Sequence, residues 1–191
     1  MSEAVAIPSI LERMDAKGAS VVAQESLQAF EAALDRLYAW GDAFHSSAPA
    51  SSPLFWFQHS GAGGRQHIWF RDITVASALT HLWSFCVIGL TNIDQLRALC
   101  HAEANDGSTG AHFDETKRLS VMICQSIEYL MQDKMKLFGP TSLSLPLRTA
   151  YATFEAGGDQ SAKELSWCKE ILRDMRSRGY EFVSYFLGFE L

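Results

Sequence analysis

Residues Asp72 to His101 read DITVASALTHLWSFCVIGLTNIDQLRALCH, and the fold turns on them. Only Asp72, Asp94 and Arg97 bring formal charge into this stretch, and no proline interrupts it. At helical spacing Val75, Leu79, Leu82, Cys86, Leu90, Ile93, Leu96 and Cys100 form one apolar stripe. A second row, Ile73, Ala76, Trp83 and Val87, makes the first half apolar around most of its circumference. A helix of that kind belongs at the centre of a bundle, with other helices laid upon it. Its remaining row, Thr74, Ser77, His81, Ser84, Thr91 and Gln95, is small and polar yet uncharged.

Helical signals continue on either side. Upstream, Ser9 to Asp15 predicts a short helix stopping near Gly18. Ser20 is placed to cap the next, whose inward residues are Val22, Leu27, Phe30, Leu34, Leu37, Tyr38 and Phe44. The segment 45–70 is expected to be a loop and strap. HSSAPASSP is small, polar and proline-bearing, and two aromatic clusters then bracket a glycine turn in LFWFQHSGAGGRQHIWF. That second part could pair as a hairpin, but a strap held by Phe55, Trp56, Trp69 and Phe70 suits an all-helical chain better. Downstream, Asp114 is expected to cap a long helix reaching about Lys136 and ended by Gly139-Pro140. A helix from Ser142 or Ser144 tolerates Pro146 in its first turn and turns Leu147, Ala150, Tyr151 and Phe154 inward. The last helix spans about Asp159 to Arg178, with Leu165, Cys168, Ile171, Leu172 and Met175 inward and Gly179 closing it. The tail YEFVSYFLGFEL is expected to dock back. The expectation is all-α: a single domain, 1–191, of five to six helices around a buried central helix at about 72–101.

Composition bounds the function. The chain has 191 residues, 48% hydrophobic and 20% charged, which suits one globular domain. Its net charge of −6, without a basic block, argues against direct nucleic-acid binding. Cys86, Cys100, Cys124 and Cys168 lack the spacing of a zinc knuckle or a CxxC pair, so they read as reduced thiols of an intracellular protein. The window Ile73–Leu90 has the length of a membrane span, but its Ser, Thr and His content weakens that reading.

Three blocks, WFRDITVASALTHLWSFCVIGL, ICQSIEYLMQDKMKLFGPTSLSLPLRTAY and ELSWCKEILRDMRSRGY, resemble the C-terminal helical regulatory region of fungal zinc-cluster transcription factors. The similarity covers roughly Trp69 to Tyr180. In that family a six-cysteine DNA-binding cluster precedes the regulatory region, and this chain has no such cluster, basic linker or heptad zipper. The resemblance therefore implies a regulatory half acting as a stand-alone module, or one that has taken up another task.

Local features carry a sharp and a bland reading each. Gly61-Ala62-Gly63-Gly64-Arg65 could cradle a phosphate, but P-loop spacing and its lysine are missing, so a plain turn is expected. His59 with His67, and His101 with His112 near Glu103 and Asp106, lack a regularly spaced third ligand and read as loop side chains; no metal is expected. The row Thr74, Ser77, His81, Ser84 either lets another helix approach closely or lines a cavity, with Tyr129 and Arg148 as further ligand-binding candidates.

Two functional readings follow. The first is a non-enzymatic module that binds a protein partner or a small hydrophobic metabolite. An exposed aromatic patch from the 54–70 segment or the tail would favour a partner or a homodimer. The alternative is a small enzyme of secondary metabolism, a cyclase, isomerase or dehydratase working without a cofactor. There His81 is the general acid/base, and Glu128 or Tyr151 orients the substrate.

Overall fold

A computed structural model describes residues 6–17, 22–59, 64–100, 110–136 and 138–180. The fold is mostly helical with one small sheet. In chain order the elements are α1 (Ala6–Lys17), α2 (Ala23–Ser46), β1 (Phe55–His59), β2 (Gln66–Phe70), α3 (Ile73–Cys100) and α4 (Phe113–Gln125). Then follow α5 (Ile127–Leu130), α6 (Phe138–Ser142), α7 (Ser144–Ala156) and α8 (Ala162–Ser177). The chain groups into two compact units, Met1–Ser47 with Phe85–Thr116, and Ala48–Ser84 with Lys117–Leu191. Helix α3 gives its first part to the second unit and the remainder to the first.

In the unit containing α1 and α2, burial follows the helical period. Along α2 the buried positions are Ala23, Ser26, Leu27, Phe30, Ala33, Leu34, Leu37 and Gly41, three or four residues apart for the most part. Tyr38, next to Leu37 and so turned away from that stripe, is 42% exposed, and Phe44 is half-buried. Arg13 ties α1 to Glu25 of α2 at 3.1 Å, and Arg97 ties α3 to Glu31 at 2.8 Å. Gly89 lets α3 approach α2, since a Cβ there would stand 2.9 Å from a methyl of Leu34. The proposed Ser20 cap lies outside the described residues, as do His101, Glu103, Asp106 and the tail beyond Tyr180.

The other unit holds the sheet. Residues 55–59 and 66–70 are paired antiparallel strands, so the 54–70 segment is a hairpin and not an irregular strap. Alternation is the reason. Phe55, Phe57, Ile68 and Phe70 leave one face of the hairpin and Trp56, Gln58, His67 and Trp69 the other, as period two requires. Ile68 and Phe70 are buried, with Phe55 and Phe70 against Trp83 of α3 at 6.1 and 6.3 Å between ring centroids. The chain then turns directly into α3, whose start is capped by Asp72: its carboxylate accepts the Val75 N–H at 2.9 Å.

Helix α3 begins where the sequence predicts. Val75, Leu79, Leu82, Cys86, Leu90, Ile93 and Leu96 of the predicted stripe are buried, and Cys100 is exposed. By length and composition α3 could cross a membrane, yet 61% of its most apolar window is buried within the structure, as in a core helix.

The helix predicted from Asp114 to Lys136 is broken. It starts at Phe113, with Asp114 inside the first turn, and stops at Gln125. The short α5 and a 3-10 turn, Asp133–Met135, take up the rest, and Lys136 has φ +49°. Gly139 and Pro140, predicted to terminate that helix, lie inside α6 and are buried. A Cβ at Gly139 would overlap the Leu130 carbonyl, so glycine is what allows α6 to fold against the end of α5. Pro140 stands in the first turn of α6, where no N–H is needed.

Helices α7 and α8 follow the sequence closely. Pro146 is in the first turn of α7, and Leu147, Ala150, Tyr151 and Phe154 are buried. Cys168, Leu172 and Met175 of α8 are buried, while Leu165 and Ile171 are half-buried. Gly179 at φ +86° ends α8: its N–H bonds the Arg176 carbonyl, and the Tyr180 N–H reaches back to Met175. Together these bonds make a Schellman cap.

Candidate functional site

The side of the hairpin away from Trp83 presents polar and aromatic groups together. Trp56 and Trp69 are register partners, as are Gln58 and His67, so the four side chains leave the same face. Trp56 is 44% exposed, whereas Trp69 is half-buried. Helix α5 closes the margin of β2. Its Tyr129 meets Trp69 at 5.7 Å between centroids, 81° between planes, and also Phe70 at 5.3 Å. Those two residues leave opposite faces, so Tyr129 sits at the edge of β2 and seals it.

Charge surrounds this aromatic corner. Glu128 Oε2 lies 3.0 Å from His67 Nδ1, without the alignment of a hydrogen bond, so the attraction is ionic and depends on a protonated imidazole. The Lys134 ammonium stands over the Tyr129 ring, 5.8 Å from its centroid. Burial, and then the Asp72 carboxylate, raise the Tyr129 phenol above its ordinary range, because both oppose a phenolate. Nearer the start of β2, Arg65 lies 5.5 Å from the centre of the Trp167 ring and 3.2 Å from Glu170. Among the described residues no three His, Cys, Asp or Glu side chains cluster as metal ligands. His59 and His67 leave opposite faces of the hairpin and cannot share a metal.

The candidates named from the sequence are placed as follows. His81 is half-buried, and its Nδ1 lies 2.8 Å from the Ser77 carbonyl. A carbonyl only accepts, so Nδ1 carries the hydrogen and Nε2 is the basic nitrogen of the neutral ring. Ser84 is buried and donates to the Thr80 carbonyl at 2.7 Å, while Thr80 donates to Ala76. These hydroxyls are satisfied by their own helix, as packed Ser and Thr commonly are. Thr74 is exposed, as is Arg148 on α7. Tyr151 is buried on α7, its phenol raised by burial, by Glu155 and by Cys168. Tyr129 and Glu128 come together, but with His67 and the tryptophans of the hairpin. Sequence reasoning missed Trp56, Trp69, His67 and Lys134 as members of one site. The signal was there: 56 with 69 and 58 with 67 are equidistant from one turn, which is what hairpin pairing requires. His112, read as a loop side chain, meets Asp94 twice, through Nδ1 at 2.7 Å and its backbone N–H at 3.1 Å.

The arrangement offers exposed ring surface, a carboxylate and an amide on a rigid two-stranded support, which suits holding a ligand. No family model, curated protein or solved structure matches the chain.

Proposed function

We propose that this protein is a stand-alone helical binding module whose ligand site is the Trp56–Trp69 face of the hairpin. The observation that carries the reading is Trp56, a large ring 44% exposed and register-paired with Trp69. A solvated tryptophan costs water contact without adding to the core, so a ligand that covers it gains apolar burial. On this reading the module belongs inside the cell, as free cysteines suggest, and forms one bundle about α3, for which that helix's buried stripe is the support. The resemblance to regulatory regions of fungal zinc-cluster factors fits a sensing role for a small metabolite or a protein partner.

The enzyme reading has one observation in its favour, the oriented His81 with Nε2 as its basic nitrogen. Thermal unfolding against a panel of small metabolites separates the two, because a ligand that binds only the folded form raises the midpoint. The expected result is stabilisation that Trp56→Ala abolishes and His81→Ala preserves, with no chemical change in the ligand. Turnover that His81→Ala removes would replace this reading with the enzyme.

A further inference from the structure

We propose that the Trp56–Trp69–Tyr129 corner recognises a quaternary or fully methylated ammonium group on a small metabolite, with Glu128 as its counter-charge. The proposal rests on the binding-module reading and specifies the ligand of that site. Trp69 and Tyr129 stand nearly perpendicular, 81° between planes and 5.7 Å between centroids, and so form two walls of a corner. Trp56, leaving the same hairpin face as Trp69, supplies exposed ring surface beside them. The π-face of each ring carries negative charge that attracts cations, most strongly for tryptophan.

The charges around the corner have the matching sign. Glu128 is the neighbour of Tyr129 in α5 and meets His67, which shares the Trp69 face. The Asp72 carboxylate acts on the Tyr129 phenol. Two such carboxylates, on a chain of net charge −6, disfavour an anion and attract a cation. Cations of the chain itself already use rings at the hairpin margins: Lys134 over Tyr129 at 5.8 Å and Arg65 over Trp167 at 5.5 Å. Lys134 is near the outer limit of useful range, about 6 Å from a ring centroid. It is thus a weakly held tethered competitor. A methylated ammonium suits the corner better than a primary amine, because it has no N–H to satisfy and sheds its water easily.

Choline chloride is the probe, titrated into the full chain and followed by tryptophan fluorescence, beside its neutral isostere 3,3-dimethylbutan-1-ol. Choline is expected to give a saturable change, with the isostere about tenfold weaker because it lacks only the charge. Trp56→Ala should weaken choline by about tenfold at unchanged thermal midpoint, and Glu128→Gln by a smaller factor. Lys134→Met should tighten binding, a gain that general damage to the fold would not produce. Equal affinity for the isostere, with both lost in Trp56→Ala, would overturn the cation proposal while the binding module stands. No saturable response to choline, or one indifferent to Trp56→Ala and Glu128→Gln, also overturns the proposal. The module reading falls with it only if no compound of the wider panel gives a Trp56-dependent response.

Discussion

At the residue scale, burial decides which cysteines can react. Cys86, Cys124 and Cys168 are buried and Cys100 is exposed. Burial, with a smaller push from Glu115, moves the Cys86 thiol up to about 12. The Cys124 thiol is likewise raised, first by its hydrogen bond with Cys168 and then by burial. Only a thiolate attacks an alkylating agent, so all three should stay protonated and inert near neutral pH. Iodoacetamide at pH 8 is expected to label Cys100 alone in the folded protein and all four cysteines in denaturant; peptide mass mapping reads the difference. The distribution was half legible in the sequence. Cys86 and Cys168 sit on apolar helical rows, but Cys100 continues the same stripe as Cys86 and is nonetheless exposed. Periodicity names the face a residue is on, and not how far along the helix its cover extends.

At the element scale, the hairpin and the α5–α6 junction are where local reading and structure part. Both depend on contacts distant in sequence. The aromatic clusters of 54–70 gave a choice between strap and hairpin, and pairing of 55–59 with 66–70 decides it. The predicted helix to Lys136 had apolar residues at the right spacing, but Gly139 must approach the Leu130 carbonyl and the helix ends early to allow it. Gly139→Ala has no room for its methyl against backbone atoms and should cost about 2–4 kcal/mol in urea unfolding. A cost below about 0.5 kcal/mol would show that this close approach is not a constraint.

For the whole molecule, the shifted acids point the same way. Tyr129, Tyr151, Cys86 and Cys124 are all raised, chiefly by burial except at Cys124, where the bond to Cys168 leads. A raised folded-state value means that the native state holds its proton more tightly than the unfolded chain. The resulting stability is complete below the unfolded values, near 9 for the thiols and 10 for the phenols, and is lost as pH rises through the folded ones. Denaturation midpoints should therefore fall steeply above about pH 9–10 and show no contribution from these groups between pH 6 and 8. A midpoint flat to pH 11 would contradict the burial of these side chains.

The helical character, the limits of α3, the cap at Asp72, the Schellman close at Gly179 and the core side of α7 were determined by sequence alone. Each depends on neighbours within a turn or two, through helical period, capping oxygen or glycine. The third row of α3 was also legible as unusual. Only the tertiary structure, however, gave Ser84 its Thr80 carbonyl and left Thr74 in water. Tertiary structure likewise decided the partners of the site. Glu128 was a candidate from the start, but its meeting with His67 requires the hairpin to bring residue 67 to α5. Trp56 and Trp69 become one surface only through strand register. Such groupings join residues far apart in the chain, and burial competing across the fold selects among pairings that local sequence leaves open.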